Sequence, residues 1–231
     1  EGLDGLSEED GELRIGALVR HKTCERSELL GGRRGVLGTA APQISDPIVR
    51  NMGTVAGSLA HADPQGDWGS ALLAADARVV VRSTGQRREI SLEDFFKGPF
   101  MTALEPNEII TEVRVPDPGP RTAGSYHKLE RRIGDYATAG VAVQVSFSNG
   151  SVERAGIALT GVAPTNVRAI EAEAALAGAA LDDSAIEEAG RLAAEAANPH
   201  SDVRGSADYK RNVVRVFTER GLRAARDVQE G

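Results

Sequence analysis

The segment Pro116-Asp117-Pro118-Gly119-Pro120 constrains this chain more than any other stretch. Proline lacks an amide proton and locks φ, and the residue before each proline is driven out of the helical region. Three prolines and a glycine in five residues therefore break regular structure, and they lie near the middle of 231 residues. The expected organisation is two units, residues 1–117 and 118–231, each large enough to bury a core of its own.

On the N-terminal side, an acidic opening from Glu1 to Glu12 precedes Leu13–Val19, which reads as a strand. Asp46-Pro47-Ile48-Val49-Arg50-Asn51 then leads into small residues, Gly53-Thr54-Val55-Ala56-Gly57-Ser58, which read as a glycine-rich turn. Asp63 and Pro64 suit the N-cap and first position of a helix. Along it, Trp68, Ala71, Leu72 and Ala75 recur at helical spacing and share one buried face. Arg78–Arg82 is a second strand. Ile109–Val115 alternates, with Ile109, Thr111, Val113 and Val115 expected on one side and Ile110, Glu112 and Arg114 on the other.

Beyond the break, Tyr136–Phe147 and Val152–Val162 flank Asn149-Gly150, a pair that tolerates positive φ at both positions and so predicts a hairpin. Three helices follow. The first spans Asn166–Ala177, the second starts at Ser184 with Glu187 completing a capping box, and the third spans Ala207–Arg226 with Tyr209, Val213 and Phe217 on one face. This order makes the fold class α+β, a mixed first unit followed by an antiparallel sheet with helices.

Composition removes several functions. A formal net charge of −7 does not suit a phosphate backbone, which selects clustered Lys and Arg, so no nucleic-acid partner is expected. The lone Cys24 reads as a buried small hydrophobe and cannot hold an iron–sulfur cluster, which takes about four thiolates. His21, His61, His127 and His200 show no metal-ligand spacing, so no metal is expected. No run approaches the ~20 apolar residues of a membrane span, and no signal-peptide pattern opens the chain, so a cytoplasmic location is expected.

The chemistry concentrates in Asn51–Asp67. Small residues there let backbone N–H groups approach an anion, the Thr54 and Ser58 hydroxyls add donors, and Asp67 has the chemistry to accept from ribose hydroxyls. The same residues also suit a plain turn before a helix, with Asp67 an ordinary first-turn charge.

Ordered motifs extend along most of the chain. They are Arg50-Asn51-Met52-Gly53-Thr54-Val55-Ala56-Gly57-Ser58, Ala62-Asp63-Pro64-Gln65-Gly66-Asp67, and Glu108-Ile109-Ile110 running on to Pro116. In the second half, Tyr126-His127-Lys128-Leu129 precedes Arg132-Ile133-Gly134-Asp135-Tyr136-Ala137. Together they resemble the FAD-binding (medium) subunits of the molybdenum hydroxylases, of the carbon monoxide dehydrogenase and xanthine dehydrogenase type. The resemblance implies a PCMH-like FAD-binding subdomain followed by a C-terminal flavoprotein domain. It implies FAD as cofactor, with Thr54, Val55, Ala56, Gly57 and Ser58 around the diphosphate and Asp67 on the adenosine side. Ile44 and Ile110 would line the cofactor, and Lys128 would lie near the isoalloxazine ring.

The implied function is electron transfer from iron–sulfur clusters of a partner subunit to an external acceptor, with no catalytic residue in this chain. The implied partners are a molybdopterin-containing large subunit and a 2Fe-2S small subunit, in a heterotrimer that dimerises. Two departures stand out: Ala56 replaces a common glycine, and the family's earlier Gly-Gly loop has no counterpart, which implies a chain lacking its N-terminal segment. Two other readings stay open, a flavin-free fragment serving assembly and a self-contained FAD oxidoreductase. The second needs a Tyr, His or Glu acid–base pair that the sequence does not show.

Overall fold

The structure is a computed structural model and describes residues 2–230. Its first half opens with the hairpin β1 (Leu6–Glu9) and β2 (Glu12–Gly16). Short helices follow: α1 (His21–Arg26), α2 (Gly35–Ala40), α3 (Pro47–Met52) and α4 (Val55–His61), then α5 (Asp67–Ala74). The hairpin β3 (Arg78–Ser83) and β4 (Gln86–Ser91) leads through α6 (Leu92–Phe95) and the ribbon β5 (Phe96–Gly98) and β6 (Met101–Thr102) to β7 (Ile109–Pro116). Strand β7 inserts between β2 and β3, giving an antiparallel sheet of order β1-β2-β7-β3-β4.

In the second half, β8 (Thr122–Leu129), β9 (Ala139–Ser148), β10 (Ser151–Thr160) and β11 (Val167–Arg168) form an antiparallel sheet of order β11-β10-β9-β8. Helices α7 (Ile170–Leu176), α8 (Asp183–Ala196) and α9 (Ala207–Glu230) follow. The sheet is covered on both faces because strand side chains alternate. Val141, Val143, Ile157 and Leu159 join the core under α8 and α9. Ala142 and Ala158, pointing the other way, join the first core beside α5.

All eight residues of α5 are buried, so this helix is shared by both halves. At Gly156 there is no room for a Cβ against the Ala74 backbone, which lets β10 and α5 touch main chain to main chain. Among the described residues no helix is long and apolar enough to cross a membrane.

Local chemistry explains where expectation and structure agree. Asn149 and Gly150 both take positive φ (51° and 84°) and close the β9–β10 hairpin. Trp68, Ala71, Leu72 and Ala75 are all buried.

Competing local bonds explain the differences. The glycine-rich turn is mostly helix α4, because Thr54 caps it. Asp63 does not cap the next helix: its carboxylate accepts the Gln65 N–H at 2.9 Å, and Gly66 is the N-cap of α5. Asp182, not Ser184, caps α8, accepting from Ala185 N–H at 2.9 Å. Val167–Arg168 adds an edge strand where helix was expected, and the β9 strand starts at Ala139, not Tyr136.

The strict alternation of Ile109–Val115 also fails. Val80 pairs with Glu112 but Val81 with Ile110, so the ladder slips by one residue at Thr111. That bulge turns Ile110 inward, 7% exposed, with Val113 and Val115, and leaves Ile109 outside at 62%.

Candidate functional site

Asn51–Asp67 folds as the end of α3, a cap, α4, a turn and the start of α5. Thr54 Oγ1 accepts the Gly57 N–H at 3.0 Å. A short antiparallel pairing anchors the cap: His21 N–H donates to Gly53 O (3.1 Å) and Val55 N–H to Val19 O (3.2 Å). Ala62 ends α4 in the left-handed region, and the following turn is held from the second half of the chain. Gly161 N–H donates to Pro64 O (2.8 Å), and Asn166 Nδ2 to Gly66 O (3.1 Å).

A cavity of about 470 Å³ lies between these elements and the loop after β8. Ile44, Gly57, Ser58 and Asp67 line it, together with Gly134, Asp135 and Tyr136 of that loop. A more open hollow of about 540 Å³ beside Arg20, Lys22 and Arg26 contains none of the nine expected site residues, so shape alone does not pick out the site.

The nine expected residues separate into wall and support. Ile44, Gly57, Ser58 and Asp67 reach the cavity. Thr54 is a helix cap, while Val55 and Ala56 are buried in the core behind it. Ile110 is buried on β7, the strand on which α4 packs, and does not line the cavity.

Lys128 is also turned away. Its ammonium donates to Asp67 Oδ2 (3.0 Å) and to Gln43 O (2.9 Å) and pairs with Glu130 (3.3 Å), with the side chain 1% exposed. Tyr126 O–H donates to the other Asp67 oxygen at 2.7 Å. Burial pushes the Asp67 carboxyl above its ordinary range, against the opposing pull of Lys128 and Tyr126. Burial, then the Asp67 charge, raises the Tyr126 phenol well above its usual value.

A flavin dinucleotide asks for donors to phosphate oxygens, backbone free of side chains, and apolar wall. Among the described residues the Ala56 N–H and the Ser58 hydroxyl have no protein partner. Gly57 and Gly66 bring bare backbone to the cavity, and Ile44 supplies an apolar surface. The residues present fit part of FAD.

The comparisons agree with that chemistry. The family described as FAD binding domain in molybdopterin dehydrogenase matches residues 1–118, and CO dehydrogenase flavoprotein C-terminal domain matches residues 124–225. The chain belongs to the flavoprotein subunits of the molybdenum hydroxylases. Its cofactor is FAD, and it is a subunit of an oxidoreductase.

The carbon monoxide dehydrogenase medium chain of Hydrogenophaga pseudoflava is 38% identical over 223 residues, covering 96% of this chain and 78% of that one. The nicotine 6-hydroxylase medium subunit of Paenarthrobacter nicotinovorans is 36% identical, covering 96% and 77%. Among solved structures, carbon monoxide dehydrogenase from H. pseudoflava matches with a TM-score of 0.93 at 41% identity, over 97% of this chain and 78% of that chain. Quinoline 2-oxidoreductase from Pseudomonas putida 86 matches with a TM-score of 0.89 at 31% identity, over 98% and 79%.

Within this molybdenum-hydroxylase flavoprotein, several cavity residues were not expected from sequence. Gly134, Asp135 and Tyr136 belong to a motif that carried the resemblance, yet no role attached to them. His21 also lines the cavity. Trp68 Nε1 donates to its Nδ1 at 3.0 Å, 47 positions away, a pairing with no local signal. Burial, then the charges of Arg50 and Arg20, push the His21 pKa down to about 4.

Proposed function

We propose that this subunit holds FAD against the wall formed by Ile44, Gly57, Ser58 and Asp67 and serves as the electron-transfer member of its complex. Electrons would come from iron–sulfur clusters of a partner subunit and leave to an external acceptor. The observation that carries the reading is the convergence of those four residues on one cavity, with the Ser58 hydroxyl, unpaired among the described residues, at its wall. FAD, when bound, supplies the redox chemistry, since it can both take up and give up electrons.

The chain's own residues bind and shield. Gly57 and Gly66 permit close backbone approach, while the Ala56 N–H and the Ser58 hydroxyl donate to diphosphate oxygens. Ile44 excludes water from one side of the cavity. Asp67 offers a carboxylate edge on the adenosine side and is held there by Tyr126 and Lys128. Thr54, Val55 and Ile110 keep α4 in place from behind, and Lys128 acts on the cavity through Asp67. No catalytic residue is assigned.

The division of the chain belongs to the same proposal, with residues 1–117 as FAD-binding subdomain and 118–231 as second domain. So do the partners: a molybdopterin-containing large subunit and a 2Fe-2S small subunit, in a cytoplasmic heterotrimer that dimerises. The names of the relatives as medium chains support that assembly. Surface chemistry supports it too, because Ile48, Val49 and Met52 of α3 and Ile133 of the cavity loop are exposed beside the site.

The test is an absorption spectrum of the purified chain after incubation with FAD and desalting. Retained flavin bands are expected, and Thr54→Tyr and Asp67→Ala should weaken retention. A chain that keeps no flavin, with or without its partner subunits, would leave the assembly-surface reading in its place.

A further inference from the structure

We propose that His21 is a hydrogen-bond donor to a phosphate oxygen of the bound dinucleotide, with its proton held on Nε2 by Trp68. The inference rests on the reading of the cavity as the FAD site. An indole N–H can only donate. Because Trp68 Nε1 donates to His21 Nδ1 at 3.0 Å, Nδ1 is the bare nitrogen. In a neutral imidazole the proton then sits on Nε2. The ring stays neutral near pH 7, since burial and the neighbouring Arg50 and Arg20 charges hold its pKa down at about 4.

His21 is 5% exposed and lines the cavity. Among the described residues nothing accepts from Nε2, so a ring that lines the cavity carries a donor free for a ligand to engage. Gly53 packs beside this edge of the ring: a Cβ there would come within 2.6 Å of Nε2, so only glycine leaves room for the imidazole in this position.

The electrostatics favour an anionic acceptor. Arg20 and Arg50 both act on the ring. Arg50 is also tied to Glu25 at 3.0 Å, which offsets part of its charge. The two carboxylates on the cavity are engaged elsewhere, Asp67 by Lys128 and Tyr126, and Asp135 by Arg204 at 3.2 Å. The phosphates are the anionic acceptors that a dinucleotide brings, and the Ser58 hydroxyl lines the same cavity.

Two readouts on the protein test this. Long-range proton–nitrogen spectra report the protonated imidazole nitrogen directly. His21 should show the Nε2–H form from about pH 5.5 to 8, and adding FAD should shift that proton. Flavin fluorescence quenching then gives affinity. His21→Leu should weaken FAD binding about tenfold or more, and His21→Gln, whose amide can place a donor near Nε2, should recover most of it.

Circular dichroism checks that each variant is folded. Should His21→Leu unfold, the tautomer and the FAD-induced shift in the wild type decide the matter. An Nδ1–H tautomer, or full FAD affinity in His21→Leu while the wild type binds FAD, overturns the inference alone. A wild-type chain that binds no FAD overturns the cavity reading and the inference with it.

Discussion

The two ends of the cavity follow opposite rules. At the α5–β8 end, Asp67, Tyr126 and Lys128 satisfy one another and the Gln43 carbonyl inside the protein. At the α4 end, the Ala56 N–H, the Ser58 hydroxyl and His21 Nε2 have no protein acceptor among the described residues. On the reading proposed above, the Ser58 hydroxyl and His21, which line the cavity, are left for the cofactor to engage. On that reading pairing sorts the roles better than residue type does: buried Lys128 is scaffold, Ser58 is contact surface, and Asp67 is both, lining the cavity while held by Tyr126 and Lys128.

The sharpest way to break this contrast is at the paired end. Lys128→Met leaves the Asp67 carboxylate buried without its cation, and removing one partner of a buried pair costs about 3–5 kcal/mol. Urea unfolding of the variant measures it. A loss below about 1 kcal/mol, the scale of an exposed pair, would show that the cluster is wetter than its 1% and 6% side-chain exposures indicate.

A smaller effect is expected with pH. His21 titrates near 6.5 when unfolded and near about 4 when folded. The unfolded chain therefore takes the proton first as pH falls. Stability present above about pH 6.5 should drain away down to about pH 4, by on the order of 2 kcal/mol after allowance for screening. Replacing the ring in His21→Gln should flatten that part of the stability–pH curve, and an unchanged curve would mean the loss comes from other groups.

The smallest change is expected at the unpaired end. Ser58→Ala should alter stability by no more than about 0.5 kcal/mol while lowering FAD affinity about three- to tenfold. A stability loss as large as that of Lys128→Met would erase the distinction between the two ends.

Sequence reasoning reached some of this and missed the rest for identifiable reasons. The Asn149-Gly150 hairpin was readable because its turn chemistry is local. The Trp68–Ala75 face was readable because helical spacing is local too. Ile110 was placed on the wrong side of its strand, because the slip at Thr111 depends on β3, a partner about 30 positions earlier in the ladder. The resemblance brought Ile44, Gly57, Ser58 and Asp67 to attention, and all four line one cavity. It put Lys128 near the isoalloxazine ring, whereas the ammonium is taken up by Asp67, 61 positions away, and does not line the cavity. The Trp68–His21 pair was invisible for the same reason.

The placement of α5 has a kinetic consequence. With all eight of its residues buried, and Gly156 pressed on its Ala74 backbone, the helix acts as a common rivet through both halves. Swinging them apart would tear open the core that α5 shares with Tyr126, Ala142 and Ala158 of the second half, so the chain has no cheap hinge. On the reading proposed above, cofactor exchange would then depend on local motion at the cavity rim, which includes Gly134–Tyr136, and not on a clamshell motion.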